Sequence, residues 1–282
     1  MMTMTKTFSA TSTLVNLMLD HAASRGLDTA QLLLEAGISR SQLANPLHKL
    51  PCEQFELLCQ LCERASGDKR MGCDMSHRLT ANGLHGLNIL MDSAPTLAVG
   101  LRCLGQFLPL LTDRMRLETR QTAESVIFTL AVPQPAPHFF WLDAALSALL
   151  RNVARRVGKA PGELLKKVWI TPQQQCTGLL DEWNVVHELA SSPAFEVSLE
   201  ALDWRHVKAD EFFHRAMLEH WQSQQPTVAH EDEGLAKARL WLKSSTHPIE
   251  HIASLMGYSQ PGNFTRAFRK QYGVTPRQFR QA

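Results

Sequence analysis

No stretch of this sequence has the unbroken apolar character that crossing a bilayer requires, so membrane insertion is not expected. Met1 to Asp20 holds one lysine in a broken mixture of Thr, Ser and apolar residues, and lacks the compact apolar segment of a signal peptide. Cysteine is sparse and unpaired in its spacing: Cys52, Cys59, Cys62, Cys73, Cys103 and Cys176 are spread along the chain. That excludes a disulfide framework and fits a reducing compartment, the cytoplasm. Internal repeats and low-complexity tracts are absent. The twelve histidines show neither a zinc-protease spacing nor a Cys/His or Ser/His/Asp arrangement. No catalytic residue, no metal and no cofactor is therefore expected, and the chain does not read as an enzyme.

Four partial signals have bland readings. Cys59-Gln-Leu-Cys62, with Cys52 and Cys73 nearby, has the spacing of a metal or redox pair but falls on the apolar stripe of a helix, where cysteine packs as a small core residue. His247 and His251 stand four apart, yet histidine near a polyanion or in a turn is commoner than such a ligand pair. Gly83-Leu-His-Gly86 is too short to imply a phosphate cradle. The aromatic residues near Trp141 and Trp169 could line a ligand pocket, with buried core as the default.

What is present is an ordinary globular composition, 44% hydrophobic and 20% charged over 282 residues, enough for a good core and two domains. Its charge is unevenly placed. From Gly234 to Ala282 eight basic residues (Lys237, Arg239, Lys243, Arg266, Arg269, Lys270, Arg277 and Arg280) face one acid, Glu250. That is +7 in a chain whose total is +2, and it leaves −5 on the rest. A basic terminal block on an acidic body points to a polyanionic partner for the tail, with a solvated basic face as the alternative.

The first hundred residues read as helices. Leu32, Leu33 and Leu34 close an apolar segment at Gly37, while Phe55, Leu58, Cys59 and Cys62 recur at helical spacing up to Ser66-Gly67-Asp68. Thr96 to Leu111 gives a further helix with Leu97, Leu101, Leu104 and Leu108 on its apolar face. The period then changes to two: Met115, Leu117 and Thr119 alternate with charged residues, and after Thr122 to Glu124 the β-branched run Val126 to Val132 completes a hairpin ended by Pro133, Pro135 and Pro137. Leu142, Ala145, Leu146, Leu149, Leu150, Val153 and Val157 mark one face of a long helix with Arg151, Arg155 and Arg156 near its end. Strands are expected at Lys167 to Thr171 and Phe195 to Ser198, and everything after Ala209 reads as helical. The fold class is α+β: a mixed helical and β domain over 1–221, a polar linker over 222–233 carrying Pro226, and a small all-α domain over 234–282.

The informative stretch is 246–280. Thr246 can cap a short helix with Pro248 in its first turn and Ile249, Ile252, Ala253 and Met256 as its buried stripe. Gly257 allows the positive φ of a tight turn, and Ser259 caps a second helix that buries Phe264, Ala267, Phe268 and Tyr272. Pro261, Gly262, Thr265, Arg266 and Arg269 are left on other faces. A helix of this kind fits the major groove of double-stranded DNA, where arginine can give two parallel hydrogen bonds to guanine. Arg266 is the strongest candidate base reader; Arg269, Lys270 and Arg277 suit phosphates, and the helix opened by Thr275-Pro276 could offer free N–H groups to another. The candidate DNA-binding set is Ser259, Gln260, Gly262, Asn263, Thr265, Arg266, Arg269, Lys270, Thr275 and Arg277. By periodicity alone, this remains any small helical pair.

The residues themselves go further. Ile252-Ala253, Gly257-Tyr258-Ser259, Asn263 to Phe268, Gly273 to Pro276 and Phe279-Arg280 closely resemble the second helix-turn-helix of the AraC/XylS regulators, and Leu235 to Leu242 resembles their linker helix. Upstream, Leu33 to Ile38, Leu50-Pro51, Ser66-Gly67-Asp68, Gly83 to Gly86 and Ser93 to Leu97 resemble, more loosely, the arabinose-binding-like domain of the ornithine-utilisation branch. The resemblance implies a transcription regulator whose N-terminal domain takes a small-molecule effector or a second subunit, and a homodimer, since one reading helix gives few base contacts. It also exposes a departure. Such regulators carry two motifs in tandem, but only about twenty residues separate Ala209-Asp210-Glu211-Phe212-Phe213 from the linker helix, too few for the first. Pro261 and Gly262 occupy positions where the family places polar contacts, and neither has a side-chain hydrogen-bonding group.

Overall fold

Local capping sets some of the helix starts. In the computed structural model, which describes residues 8–75, 84–133, 136–224, 233–244, 247–256, 261–272 and 274–281, strand β1 (Ser9–Thr11) leads into α1 (Ser12–Ser24). Asp28 caps α2 (Thr29–Glu35) by accepting from the N–H groups of Ala30 and Gln31, and Gly37 leaves it at φ +66°, the left-handed conformation expected of it. Ser39 and Gln42 form a capping box on α3 (Arg40–Leu43). Strand β2 (Lys49–Pro51) pairs antiparallel with β1, and α4 (Cys52–Ser66) follows, ending at the left-handed Gly67. Then come α5 (Met71–Asp74), α6 (Leu87–Ser93) and α7 (Leu97–Leu111), the last capped by Thr96.

The expected hairpin is β3 (Arg116–Gln121) with β4 (Ser125–Ala131), antiparallel from Arg116 opposite Ala131 to Gln121 opposite Val126. Beyond it lie α8 (Phe139–Arg156), α9 (Pro161–Leu164), β5 (Leu165–Ile170), α10 (Thr177–Glu182), β6 (His187–Leu189), β7 (Ala194–Ser198), α11 (Leu199–Leu202) and α12 (Glu211–Gln224). Five strands join in the order β3-β4-β7-β5-β6, antiparallel except for the β5–β6 pair. Val126, Phe128 and Leu130 of β4 alternate into the core, whereas β3 is an exposed edge strand on which Thr119 is not buried.

Two hydrophobic cores share one helix. The first joins α1, α2 and α4, the second joins α7 to the five-stranded sheet, and α8 gives Phe140, Trp141 and Leu142 to the former and Leu146, Leu150 and Val153 to the latter. The single apolar face expected for α8 is therefore corrected: it is buried nearly all round, and its polar residues are hidden because they are hydrogen-bonded. The Ser147 hydroxyl donates to the Asp143 carbonyl at 2.6 Å, and Asn152 donates to that of Ala148 at 2.8 Å.

The chain divides into two compact units, Met1–Ser223 and Gln224–Ala282. Gln222 to Gln224, expected in a linker, are helical as the last residues of α12, and Glu233 already opens α13 (Glu233–Ser244). The second unit continues with α14 (Ile249–Leu255), α15 (Pro261–Tyr272) and α16 (Pro276–Gln281). Its hydrophobic cluster holds, among the described residues, Leu235, Ala238 and Leu242 of α13, Ile252 and Ala253 of α14, and Phe264 and Phe268 of α15. Among the described residues no helix is long and apolar enough to cross a membrane.

Candidate nucleic-acid interface and ligand cavity

The spacing of Phe264 and Phe268, one helical turn apart, fixes which way α15 faces. Both rings are fully buried, and Phe268 lies 4.5 Å from the Tyr272 ring and 5.6 Å from that of Phe279 on α16. Anchored by that underside, α15 leaves Pro261, Gly262, Asn263, Arg266 and Arg269 exposed and Thr265 half-buried. The Arg266 guanidinium donates to the Asn263 side-chain oxygen at 2.6 Å, one turn back along the same face. Lys270 belongs to α15 but its side chain, like Ser259, Gln260 and the expected caps and turn at Thr246 and Gly257, lies outside the described residues.

Two expectations for this unit change. The Thr275 N–H donates to the Gln278 side chain at 2.9 Å while the Gln278 N–H donates to the Thr275 hydroxyl at 3.3 Å; α16 thus uses at its own start N–H groups that a phosphate was expected to take. The basic block is also divided. Arg239 sits over the Tyr272 ring, Lys243 over that of Phe279, and Arg280 donates to the His247 carbonyl at 2.7 Å, so these cations help hold the unit together. Arg266, Arg269 and Arg277 are exposed, as are Arg239 and Lys243 over their rings. His247 is stacked on Trp241 with ring centroids 5.5 Å apart and lies 5.1 Å from His251, so the three rings form an aromatic ladder.

In the first unit, a cavity of about 120 Å³, partly open to solvent, lies where the two cores meet. Trp141, its ring 4.7 Å from that of Phe55, lines it; Trp169, named with it in the sequence, does not. Toward the other end of α8 stands a buried ionic network that sequence reading missed. Asp92 accepts from Arg156 Nε at 2.8 Å and from Arg155 Nη2 at 2.8 and 3.0 Å, and Arg156 Nη2 donates to Asn88 at 2.8 Å. Burial lowers the Arg156 guanidinium to about 10, against the pull of Asp92. The signal was visible only as a helix-terminal arginine, and Asp92 lies 64 residues away in sequence.

The cysteines divide differently from their spacing. Cys52, Cys59 and Cys62 pack in the first core, and burial pushes the thiols of Cys52 and Cys62 up to about 12. Cys73 does not join them. Its sulfur is 3.2 Å from that of Cys176, which also lies 2.9 Å from a carboxylate oxygen of Asp143. These three could present ligand atoms within 4.8 Å of one another to a metal ion. The hydrogen bond to Cys73, burial and the Asp143 charge hold the Cys176 thiol far above its usual range.

Residues 26–174 match the family described as the arabinose-binding domain of AraC transcription regulator, N-terminal, and residues 222–282 match a helix-turn-helix domain. The first match spans more than half of the chain, which therefore belongs to the AraC transcription regulators. Over 45 residues the chain is 42% identical to the HTH-type transcriptional activator CfaD of Escherichia coli, 16% of this chain and 17% of that relative. The chain thus spans about a sixth of the length of that curated relative. In fold it is similar to the transcriptional regulator CdpR from Pseudomonas aeruginosa, with a TM-score of 0.53 over 96% of this chain and 98% of the other, at 14% identity.

Proposed function

We propose that the chain is a DNA-binding transcription regulator in which residues 234–282 read a DNA duplex, residues 1–221 take a small-molecule effector and form a homodimer, and residues 222–233 connect them. The observation that carries this reading is the exposed Asn263, Arg266 and Arg269 surface of α15, held outward by the buried Phe264 and Phe268. A helix with this underside can lie in the major groove with Arg266 toward a base edge, while Arg269, Lys270 and Arg277 meet phosphates. Family membership and the helix-turn-helix match support it. Dimerisation follows from the number of contacts: a single reading helix addresses only a few base pairs, and two can address half-sites about one turn of DNA apart.

Selection from random duplexes by the purified chain, followed by gel shift across salt, tests this. A recovered sequence with paired half-sites and a steep fall of affinity with salt is expected. Retention without sequence preference would favour a second reading, a regulator that acts by pairing with another chain and binds no operator well. One observation supports that alternative: only residues 225–232 separate α12 from α13, too few for the two helices and turn of a first motif.

A further inference from the structure

The lining of the cavity is graded along one helix. Trp141, Ala144, Ala145, Ala148, Asn152 and Arg156 stand on a single face of α8, a wall of about 22 Å at the helical rise per residue. At its start, Trp141 and Phe55 form an aromatic end wall, and the three alanines keep the middle open. At its end stand Asn152 and Arg156, with Asn88 hydrogen-bonded to the latter.

Of the twenty lining residues only Asn88, Thr112, Asn152 and Arg156 are polar, and they are largely committed already. Thr112 donates to the Ser9 carbonyl at 2.9 Å and accepts from the Arg114 N–H at 3.0 Å. Asn152 donates to Ala148 and accepts from Arg155 at 3.2 and 3.1 Å. Arg156 gives Nε to Asp92 and Nη2 to Asn88, leaving Nη1 without a partner among the described residues. Its side chain is only 3% exposed, and the single carboxylate of Asp92 answers both Arg155 and Arg156, so this end keeps a net positive charge. A sugar entering here would exchange the water around each hydroxyl for alanine, leucine and methionine. A long apolar chain ending in one negative charge would not.

We propose that the effector is an amphiphilic carboxylic acid, its hydrocarbon chain laid along α8 toward Trp141 and Phe55 and its carboxylate at Arg156. This rests on reading residues 1–221 as the effector domain and is independent of DNA reading by α15. The occupant contrasts with the sugar in the name of the matched domain, because polarity here is confined to one end of the cavity.

The test is calorimetric titration of the full chain with dodecanoate, dodecanol and L-arabinose, each below any aggregation threshold. Dodecanoate is expected to saturate one site per chain, dodecanol to bind about tenfold more weakly for want of a charged hydrogen-bond partner, and arabinose to give no heat. Ala148→Trp, which fills the middle of the cavity, is expected to abolish dodecanoate binding while circular dichroism remains that of the parent. Arabinose binding without dodecanoate binding overturns the proposal, as does equal affinity for the alcohol and the acid, or undiminished dodecanoate binding in folded Ala148→Trp. If that variant does not fold, the three titrations of the parent chain still decide. Operator binding is measured separately: its presence alongside failed dodecanoate titrations sinks the ligand class alone, and its absence alongside successful ones sinks the DNA reading alone.

Discussion

Two sets of arginines, one in each unit, are used in opposite ways. In the first, Arg114 and Arg156 have side chains 5% and 3% exposed and are tied to Glu56 and Asp92. In the second, Arg266, Arg269 and Arg277 stand in solvent on a helical frame whose hydrophobic cluster holds seven buried residues among those described. A charge inside a packed body is costly without a partner and so becomes structural. The same charge on a small exposed frame is free to meet a polyanion, and its cost is a core too thin to lose any member.

Removing one such member breaks the comparison most severely. Phe268→Ala deletes a fully buried ring that touches Tyr272 and Phe279, a loss of about 3–5 kcal/mol, comparable with the whole stability of a small domain. The second unit is expected to unfold while the first keeps its thermal transition, as followed by calorimetry and amide exchange. A uniform small shift of a single transition would show that the units are not energetically separate.

In the first unit the matching experiment removes a partner. Asp92→Ala leaves Arg156 buried and Arg155 without its carboxylate, and is expected to cost about 3–5 kcal/mol in urea denaturation. A cost below about 1 kcal/mol would mean that water already satisfies the network. The second unit's transition should not move.

Acid should also act on the first unit. His206 is 2% exposed, with its ring where a Cβ on Gly100 would fall. Burial, then the Arg156 charge, push its pKa from 6.5 down to about 4. The folded state therefore refuses a proton that the unfolded state accepts. This stability is complete above the unfolded value, falls as pH drops from about 6.5 toward about 4, and amounts to about 3 kcal/mol. Burial shifts His138 in the same direction, so the diagnostic quantity is the difference between the parent and His206→Gln. Parallel stability curves for the two proteins would remove His206 as the source.

How much of this could be read from residues alone depended on the range of the interaction. Helices with strong periods and local caps, such as α2, α4 and α7, were legible, as was the hairpin with its change to a period of two. The underside of α15 was written in Phe264 and Phe268. The three-residue strands β1, β2 and β6 carry too few residues to show a period. The pairs Asp92–Arg156 and Cys73–Cys176 are separated by 64 and 103 residues, and only the fold brings them together. Local pattern reports the element and the face it buries; it does not report which distant partner makes a buried charge tolerable.

The smallest expected effect falls on the frame that can least afford a larger one. Arg266 is exposed and, among the described residues, bonds to Asn263 within its own helix, so Arg266→Ala should change the stability of the second unit by no more than about 0.5 kcal/mol. Its effect on DNA should be selective, a loss of about 1–3 kcal/mol for the preferred duplex, with discrimination relaxed at one base position. Arg269→Ala supplies the contrast: as a phosphate contact it should weaken all duplexes alike and lower the salt slope by about one. Competition gel shifts over a set of single-base variants separate the two. Should Arg266→Ala weaken every duplex equally, α15 would be reading charge and shape, and the base contact would have to come from elsewhere on the helix.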